Sequence, residues 1–404
     1  MKSWVEISER RLSGNYRALV RAAGGDVPLL AVVKANAYGH GLAICAPVLA
    51  RAGAGWLGVD DVDEGVAVRG HLAAAGVRSE EQPRILVMGG PLPEDAGALV
   101  EHDLTPVVWT IQQLESLRAA VESRGTGAPF PVHLEVDTGM ARQGVETGSK
   151  LGAVLLWFVL NPAVRLEGVM THFAATEVAL CAQTRRQRKR FEGAMAAVVE
   201  AGLRPQWVHV GNSSMIDNGM AAEGEGSSVV WLRGVAARTG GAPMVRAGLG
   251  LYGYCLEIEG AAGADGSLVR EELRPVMTWK TRVLGVREIC AGDTVGYNGT
   301  FVAERRMTVA LVAAGYADGL RRTLSGGSDE NGGWVMVRGK RAAILGRVSM
   351  SLTVVDVSEI EGVKVGDEVV LLGQGITAED HARLAGTIAY EILCGVRTGT
   401  YRVV

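Results

Sequence analysis

Over the first two-thirds of the chain, short runs of apolar and β-branched residues alternate with longer stretches of helical spacing. Residues 29–33, 56–59, 84–88, 105–109, 131–136, 166–171, 207–210 and 244–248 read as strands. Between them, residues 42–52, 62–75, 111–122 and 184–201 carry apolar positions three and four apart and read as helices. Strands this apolar, without polar alternation, fit a parallel sheet covered on both faces. Repeated strand and helix units of this number predict a closed (β/α)8 barrel, with an open doubly wound sheet as the alternative.

The pattern changes after about residue 266. Segments such as TWKTRVLGV, MTVALVAAGYADG, WVMVRGKRAAILGRVSM and DEVVLLG alternate with period two and are broken by glycine, which predicts a second, mostly β domain. The expected division is 10–265 for the barrel and 266–404 for the β-domain. The opening SWVEIS also reads as a strand, and TAEDHARLAG and TIAYEILCGV near the end have helical spacing, with Thr377 as an N-cap. Residues 219–242, rich in Gly, Ala, Ser and Glu without a clear period, read as a loop or insertion. The 151–160 stretch is about half a membrane span and reads as a core helix. The basic run from Arg185 to Arg190 reads as a solvated helix surface.

Composition narrows the function classes. A chain of 404 residues with 48% hydrophobic and 21% charged residues and a formal net charge of −3 is an ordinary globular protein with no global attraction to nucleic acid. The N-terminus MKSWVEISERR lacks the apolar stretch of a signal peptide, so neither export nor membrane attachment is expected and the cytoplasm is the expected compartment. Cys45, Cys181, Cys255, Cys290 and Cys394 stand singly, without the spacing of a metal site, and read as reduced thiols.

Candidate chemistry gathers where the barrel strands should end. Lys34 closes the first of them in LAVVKANAYGHG; held at the mouth of a barrel and partly desolvated, such an amine becomes a nucleophile towards carbonyl compounds. A lysine whose stem lies along the strand and whose head reaches water is the plainer reading of that position alone. Arg142, His172, the pair Asn212 and Ser213, and Arg246 fall at the ends of later strands. Taken singly, Arg142 reads as an ion-pair partner of Asp137 and His172 as a satisfied core histidine. Together at one end of one barrel they read as an active site.

The wording of these segments resembles the alanine racemase family along essentially the whole chain. AVVKANAYGHG, EVDTGMARQGV, GVMTHFA, HVGNSSM, MVRAGLGLYG, GYNGTF, AAGYADG, GRVSM and TIAYEIL carry the resemblance. It implies a pyridoxal 5'-phosphate enzyme, a homodimer with shared active sites, that interconverts L- and D-alanine and so supplies D-alanine for peptidoglycan. It also implies that the N-terminal strand, residues 1–9, joins the β-domain. Lys34 would carry the cofactor and act as one acid/base, and Tyr297 of the partner subunit would act as the other, from the opposite face. Tyr38, Ser213, Tyr390 and the backbone at Gly248 and Leu249 would cradle the phosphate, with Asn212 beside Ser213, while His172, hydrogen-bonded towards Arg246, would be the neighbour that helps Tyr297 act as a base. Arg246 would meet the pyridine nitrogen; because a guanidinium keeps its proton, the ring would stay unprotonated and be a weaker electron sink. Arg142 would contact the cofactor's phenolic oxygen and the substrate carboxylate, the backbone at Met350 would hold the other carboxylate oxygen, and Tyr316 would line the mouth of the site.

Two departures stand out. Glu135 in HLEVDTG occupies the place of a lysine that often carries a carbamate in the family, and Ser351 follows Met350 where an aspartate is common. Serine or broad-specificity racemisation, a barrel-type decarboxylase and a non-catalytic cofactor-binding regulator are the competing readings. Arg246 argues against the decarboxylase, which pairs the pyridine nitrogen with an acid, and the β-domain argues against the regulator.

Overall fold

The computed structural model describes residues 2–125, 127–219, 227–260, 266–326 and 332–404. The chain forms two compact units: Arg10–Ala37 with Cys45–Arg274, and Met1–Glu9 with Tyr38–Ile44 and Pro275–Val404. Strand β1 (Ser3–Ile7) opens the chain and belongs to the second of these.

The larger unit is built on β2 (Leu29–Val32), β3 (Trp56–Val59), β4 (Arg84–Val87), β5 (Thr105–Val108), β6 (Phe130–Asp137), β7 (Val145–Glu146), β8 (Val164–Met170), β9 (Trp207–Val210) and β10 (Ala242–Ala247). They run in the order β5-β4-β3-β2-β10-β9-β8-β6-β7, every pair parallel, and a further β5–β6 pairing closes the ring with β7 outside it. This is the closed (β/α)8 barrel rather than the open sheet. All eight expected strands are present, because parallel strands buried on both faces leave near-continuous apolar runs; every residue of β2 and β3 is buried. Some of the helices between them start at side-chain caps. Asp61 accepts from the Glu64 amide ahead of Val62–Ala74, and Thr110 and Gln113 form a reciprocal capping box ahead of Ile111–Arg124.

Two expectations change in this unit. Ser228–Thr239 is a helix, capped by Ser227 and closed by left-handed Gly240, where a loop was expected across 219–242. Small residues dilute its pattern, yet Trp231, Leu232, Val235 and Ala236 are buried along one face; residues 220–226 of that expected insertion lie outside the described residues. In the basic helix Ala182–Glu200, Arg188 is buried, donates to Ser228 Oγ and stacks over Trp231, so that face packs instead of facing water.

The smaller unit is a mostly antiparallel sheet, built on β1, β11 (Met277–Ile289), β14 (Met307–Val312), β15 (Trp334–Val337), β16 (Lys340–Leu345), β17 (Thr353–Asp356), β18 (Glu368–Leu372) and β19 (Tyr401–Val403). The short pair β12 (Thr294–Val295) and β13 (Phe301–Val302) stands apart as its own two-stranded sheet. Along β11, Met277, Trp279, Thr281 and Val283 are buried and the residues between them are not, the period of a sheet with one covered face. Strand β1 pairs antiparallel with β11 and parallel with β19. Thr377 caps Ala378–Ala385 through a capping box with Asp380. No helix of the described residues is long and apolar enough to cross a membrane.

Candidate active site

Lys34 stands just past the end of β2, on an unusual turn. Ala35, Asn36, Ala37 and Tyr38 have φ of 53°, 53°, 56° and 52°, a left-handed turn made of L-residues with side chains. Such a conformation costs roughly 1–2 kcal/mol per residue and is kept only where the surroundings impose it. Glu64 is one restraint: its carboxylate accepts the Asn36 amide at 3.2 Å and the Asp60 amide at 3.0 Å. The Ala37 amide donates to the Val33 carbonyl at 2.7 Å. Lys34 was expected to be partly desolvated; its side chain keeps 39% of its exposure and pairs with Asp60 at 3.0 Å. Sequence reading found neither acid, since DDVDEG looks like an acidic helix start.

The remaining barrel candidates converge at the same strand ends. Arg246, near the end of β10, is only 3% exposed. Its guanidinium meets three acceptors: His209 Nδ1 at 3.0 Å, the Thr171 carbonyl at 2.9 Å and His172 Nδ1 at 3.2 Å. Burial lowers its pKa to about 10, with Glu135 opposing and Arg142 adding to the fall, so the cation persists at neutral pH. Burial and the charges of Arg246, Arg142 and Lys34 push His172 down to about 3. That imidazole is neutral, accepts from Arg246 on Nδ1 and has a proton to give on Nε2.

Arg142 follows β6 on a turn that Asp137 shapes. The Asp137 carboxylate accepts the amides of Gly139, Met140 and Ala141 at 2.9, 3.0 and 3.1 Å, so it serves the backbone. Nearby Glu135 is buried and its pKa is raised by that burial. Its hydrogen-bond donor is Gln143 Nε2 at 2.5 Å, and the charges of Arg246 and Arg142 act on it as well.

Asn212 caps the short helix Ser213–Asp217, its side-chain oxygen accepting from Thr176 Oγ1 at 2.9 Å and the Met215 amide at 3.1 Å. Those bonds commit it to shaping the turn. Ser213 Oγ accepts the Gly248 and Gly250 amides, both at 3.0 Å, and still has its own hydrogen to donate. The Gly248 amide is thereby occupied by Ser213. A Cβ at Gly250 would come within 3.2 Å of Ser213 Oγ and 3.1 Å of Leu19, so glycine keeps this cradle open; Leu249 begins the 3-10 turn beside it. Neutral hydroxyl and amide donors at one rim and a buried permanent cation at another suit a phosphorylated heteroaromatic cofactor.

In the smaller unit, the rings of Tyr38 and Tyr390 lie 6.0 Å apart between centroids, which brings two expected phosphate contacts together. Gly39 packs so closely that a Cβ would fall on the Leu393 carbonyl. Tyr297 sits on the turn joining β12 to β13, where Gly296, Asn298 and Gly299 have φ of 74°, 63° and 55°. On this turn the tyrosine is 66% exposed. Tyr316 and Met350 are exposed as well, at 44% and 59%, and the Tyr316 and Ala317 amides donate to the Ser349 and Met350 carbonyls at 3.0 and 2.9 Å.

Similarity to known proteins follows both units. Residues 7–255 match the family described as "Alanine racemase, N-terminal domain" and residues 276–404 the one described as "Alanine racemase, C-terminal domain". The chain is 36% identical to the alanine racemase of Syntrophobacter fumaroxidans over 99% of its own length and 96% of that protein's. It resembles the structure of alanine racemase from Streptomyces coelicolor A3(2) with a TM-score of 0.83 and 32% identity, covering 100% of this chain and 97% of that one. A structure from Bartonella henselae, titled as alanine racemase with covalently bound pyridoxal phosphate, matches with a TM-score of 0.80 at 26% identity, over 100% of both chains. On these matches, spanning barrel and β-domain alike, the chain belongs to the alanine racemase family of isomerases.

Proposed function

We propose that this protein interconverts L- and D-alanine, with pyridoxal 5'-phosphate held on Lys34 and with Lys34 and Tyr297 as two bases on opposite faces. The observation that carries this reading is Arg246: a buried guanidinium whose three partners are all acceptors, at the strand ends where Lys34 stands. When bound, the cofactor supplies a conjugated ring that spreads the charge left behind as the substrate α-proton departs.

The chain's own residues do the rest. The Lys34 amine holds the cofactor covalently and, once released by the substrate amine, takes or returns a proton at Nζ. Arg246 donates to the pyridine nitrogen and keeps its proton, which limits charge delocalisation and favours return of the proton to the α-carbon. Ser213, Tyr38, Tyr390 and the backbone at Leu249 would form the phosphate end, with Asn212 and the Gly248 amide holding Ser213 in place. Arg142 and the Met350 backbone orient the substrate carboxylate, and Tyr316 lines the mouth. Tyr297 moves the proton on the second face, with neutral His172 as its hydrogen-bonding neighbour. Glu135 stands in for the family's carbamate as a permanent carboxylate beside the Arg142 turn.

We assign Tyr297 to the partner's site. Its exposure in a single chain, with Met350, Tyr316, Val302 and Leu352 also exposed, supports a homodimer that covers this surface. D-alanine supply for peptidoglycan in the bacterial cytoplasm is the corresponding physiological role. Borohydride reduction of the holoenzyme and peptide mapping, with chiral assay of L-alanine and L-serine, tests the proposal. Pyridoxyl on Lys34 and racemised alanine are expected; an adduct on another lysine contradicts it, and faster turnover of serine would redirect the substrate assignment.

A further inference from the structure

Behind Arg246 lies a chain of buried polar groups that the mechanism above does not use. His209 on β9 and His133 on β6 are wholly buried, and Glu167 on β8 is 2% exposed. His209 Nε2 lies 2.8 Å from His133 Nδ1, and His133 Nε2 faces Glu167 Oε2 at 3.6 Å, wider than a formed hydrogen bond. Glu167 in turn pairs with Arg84 at 2.7 Å and Arg165 at 2.9 Å. Arg84 opens β4, and its guanidinium lies over Trp56, which opens β3 and packs against His133. The line therefore runs through the barrel interior from Arg246 near the carboxyl ends to an arginine-clamped carboxylate towards the amino ends. It is a built feature: a Cβ on Gly168, cross-strand from His133, would lie 2.7 Å from three atoms of the His133 ring.

Hydrogen bonding gives this line a direction. Arg246 can only donate, so the bond it makes to His209 exists only while Nδ1 carries a lone pair. Both rings are neutral: burial pushes His209 far down, with the charges of His133 and Arg246 adding to it. Burial also lowers His133, against an opposing pull from Glu167. His209 thus has its proton on Nε2 and gives it to His133 Nδ1, which leaves the His133 proton on Nε2, turned to Glu167. Burial pushes the Glu167 carboxyl up, but His133 and Arg84 outweigh that and hold it below the usual carboxylate range, so it remains an acceptor.

We infer that Glu167 is a remote positioning residue, which fixes the tautomers of His133 and His209 so that Arg246 always meets an acceptor there and presents its own proton outward. The consequence for the cofactor rests on the reading that Arg246 meets the pyridine nitrogen; the tautomers do not. A purely structural Glu167 would only neutralise Arg84 and Arg165, and the amide of Glu167→Gln would fail in that role as fully as Glu167→Leu. If the carboxylate acts as an acceptor, Gln serves and Leu does not.

The test is ring nitrogen-15 NMR of the seven histidines in the holoenzyme, with nitrogen-15 pyridoxal phosphate followed separately. Wild type and Glu167→Gln should show His133 and His209 as single neutral tautomers protonated on Nε2, with an unprotonated pyridine signal. Glu167→Leu should shift both rings to mixtures containing the reversed tautomer. A proton on Nδ1 of His209 in wild type, a wild-type pattern in Glu167→Leu, or Glu167→Gln behaving like Leu would each overturn the inference. If Glu167→Leu does not fold, His133→Phe cuts the line while leaving Glu167 and its arginines: a mixture at His209 supports the inference and an unchanged single tautomer overturns it. A protonated pyridine together with the expected tautomers would refute the assignment of Arg246 to the cofactor and leave the relay standing.

Discussion

Arg246 Nη2 lies 3.2 Å from Nδ1 of His172, a cation donating to an imidazole that the same cation helps keep neutral. The pair fixes the donor character of Arg246 on the side facing the site. Arg246→Glu reverses it by placing a carboxyl where a permanent donor stood. Losing a charge-assisted hydrogen bond of about 1.5–3 kcal/mol slows racemisation by roughly tenfold to a hundredfold. A long-wavelength absorbance band and pyridoxamine phosphate as a side product are also expected. Spectra and product analysis during turnover check this, and a variant showing neither would argue against the electronic role.

Glu64 ties the left-handed Lys34 turn to the segment after β3, accepting the Asn36 amide from the one and the Asp60 amide from the other. Removing it in Glu64→Ala leaves those amides to water and lets the strained φ values relax. Thermal and denaturant unfolding should report a loss of about 1–3 kcal/mol. Racemisation should fall more than in an exposed control such as Glu94→Ala, because in the proposed mechanism this turn aims Lys34.

Buried neutral histidines make stability sensitive to acid. His172 titrates at about 3 and His381 at about 4 in the folded protein, against about 6.5 for a free imidazole. From about 6.5 downwards the unfolded chain takes up protons that the folded chain refuses until the pH reaches 3 to 4, so stability falls as pH falls. Each of these two histidines removes about 2 kcal/mol by pH 5 relative to pH 8. Glu135 works in the opposite direction, since burial raises its pKa. Unfolding midpoints measured from pH 8 to 4.5 should decline with onset near 6.5, and a flat profile down to 5 would contradict the burial of these rings.

Glu135 supplies a carboxylate without modification, so activity should be unchanged when bicarbonate and dissolved carbon dioxide are removed. Glu135→Gln exchanges it for an amide beside Gln143 and loosens the Arg142 turn, raising the KM for alanine by about tenfold, equivalent to about 1.4 kcal/mol. An unchanged KM would show that Glu135 does not help position Arg142.

The barrel strands were legible because burial on both faces removes polar residues from them, as in LLAV and WLGV. The Ser228–Thr239 helix was not, because its Gly and Ala positions blur the apolar stripe that Trp231 and Leu232 anchor. At the site, Lys34, His172 and Arg246 were readable as polar residues at strand ends. Asp60 and Glu64 were hidden within a helix start, and nothing local marks them as partners of a lysine turn. His133, His209 and Glu167 were the least visible. A single polar residue in an apolar strand looks like a packing residue, and only strand register brings these three into one line.

The central claim, two bases on opposite faces, is tested most directly by α-hydrogen exchange in deuterated water with Tyr297→Phe. Inversion needs removal on one face and delivery on the other, so this variant should no longer racemise either enantiomer. It should still exchange the α-hydrogen of D-alanine through Lys34 while L-alanine retains its own. Equal exchange of both enantiomers would contradict the assignment of Lys34 and Tyr297 to opposite faces.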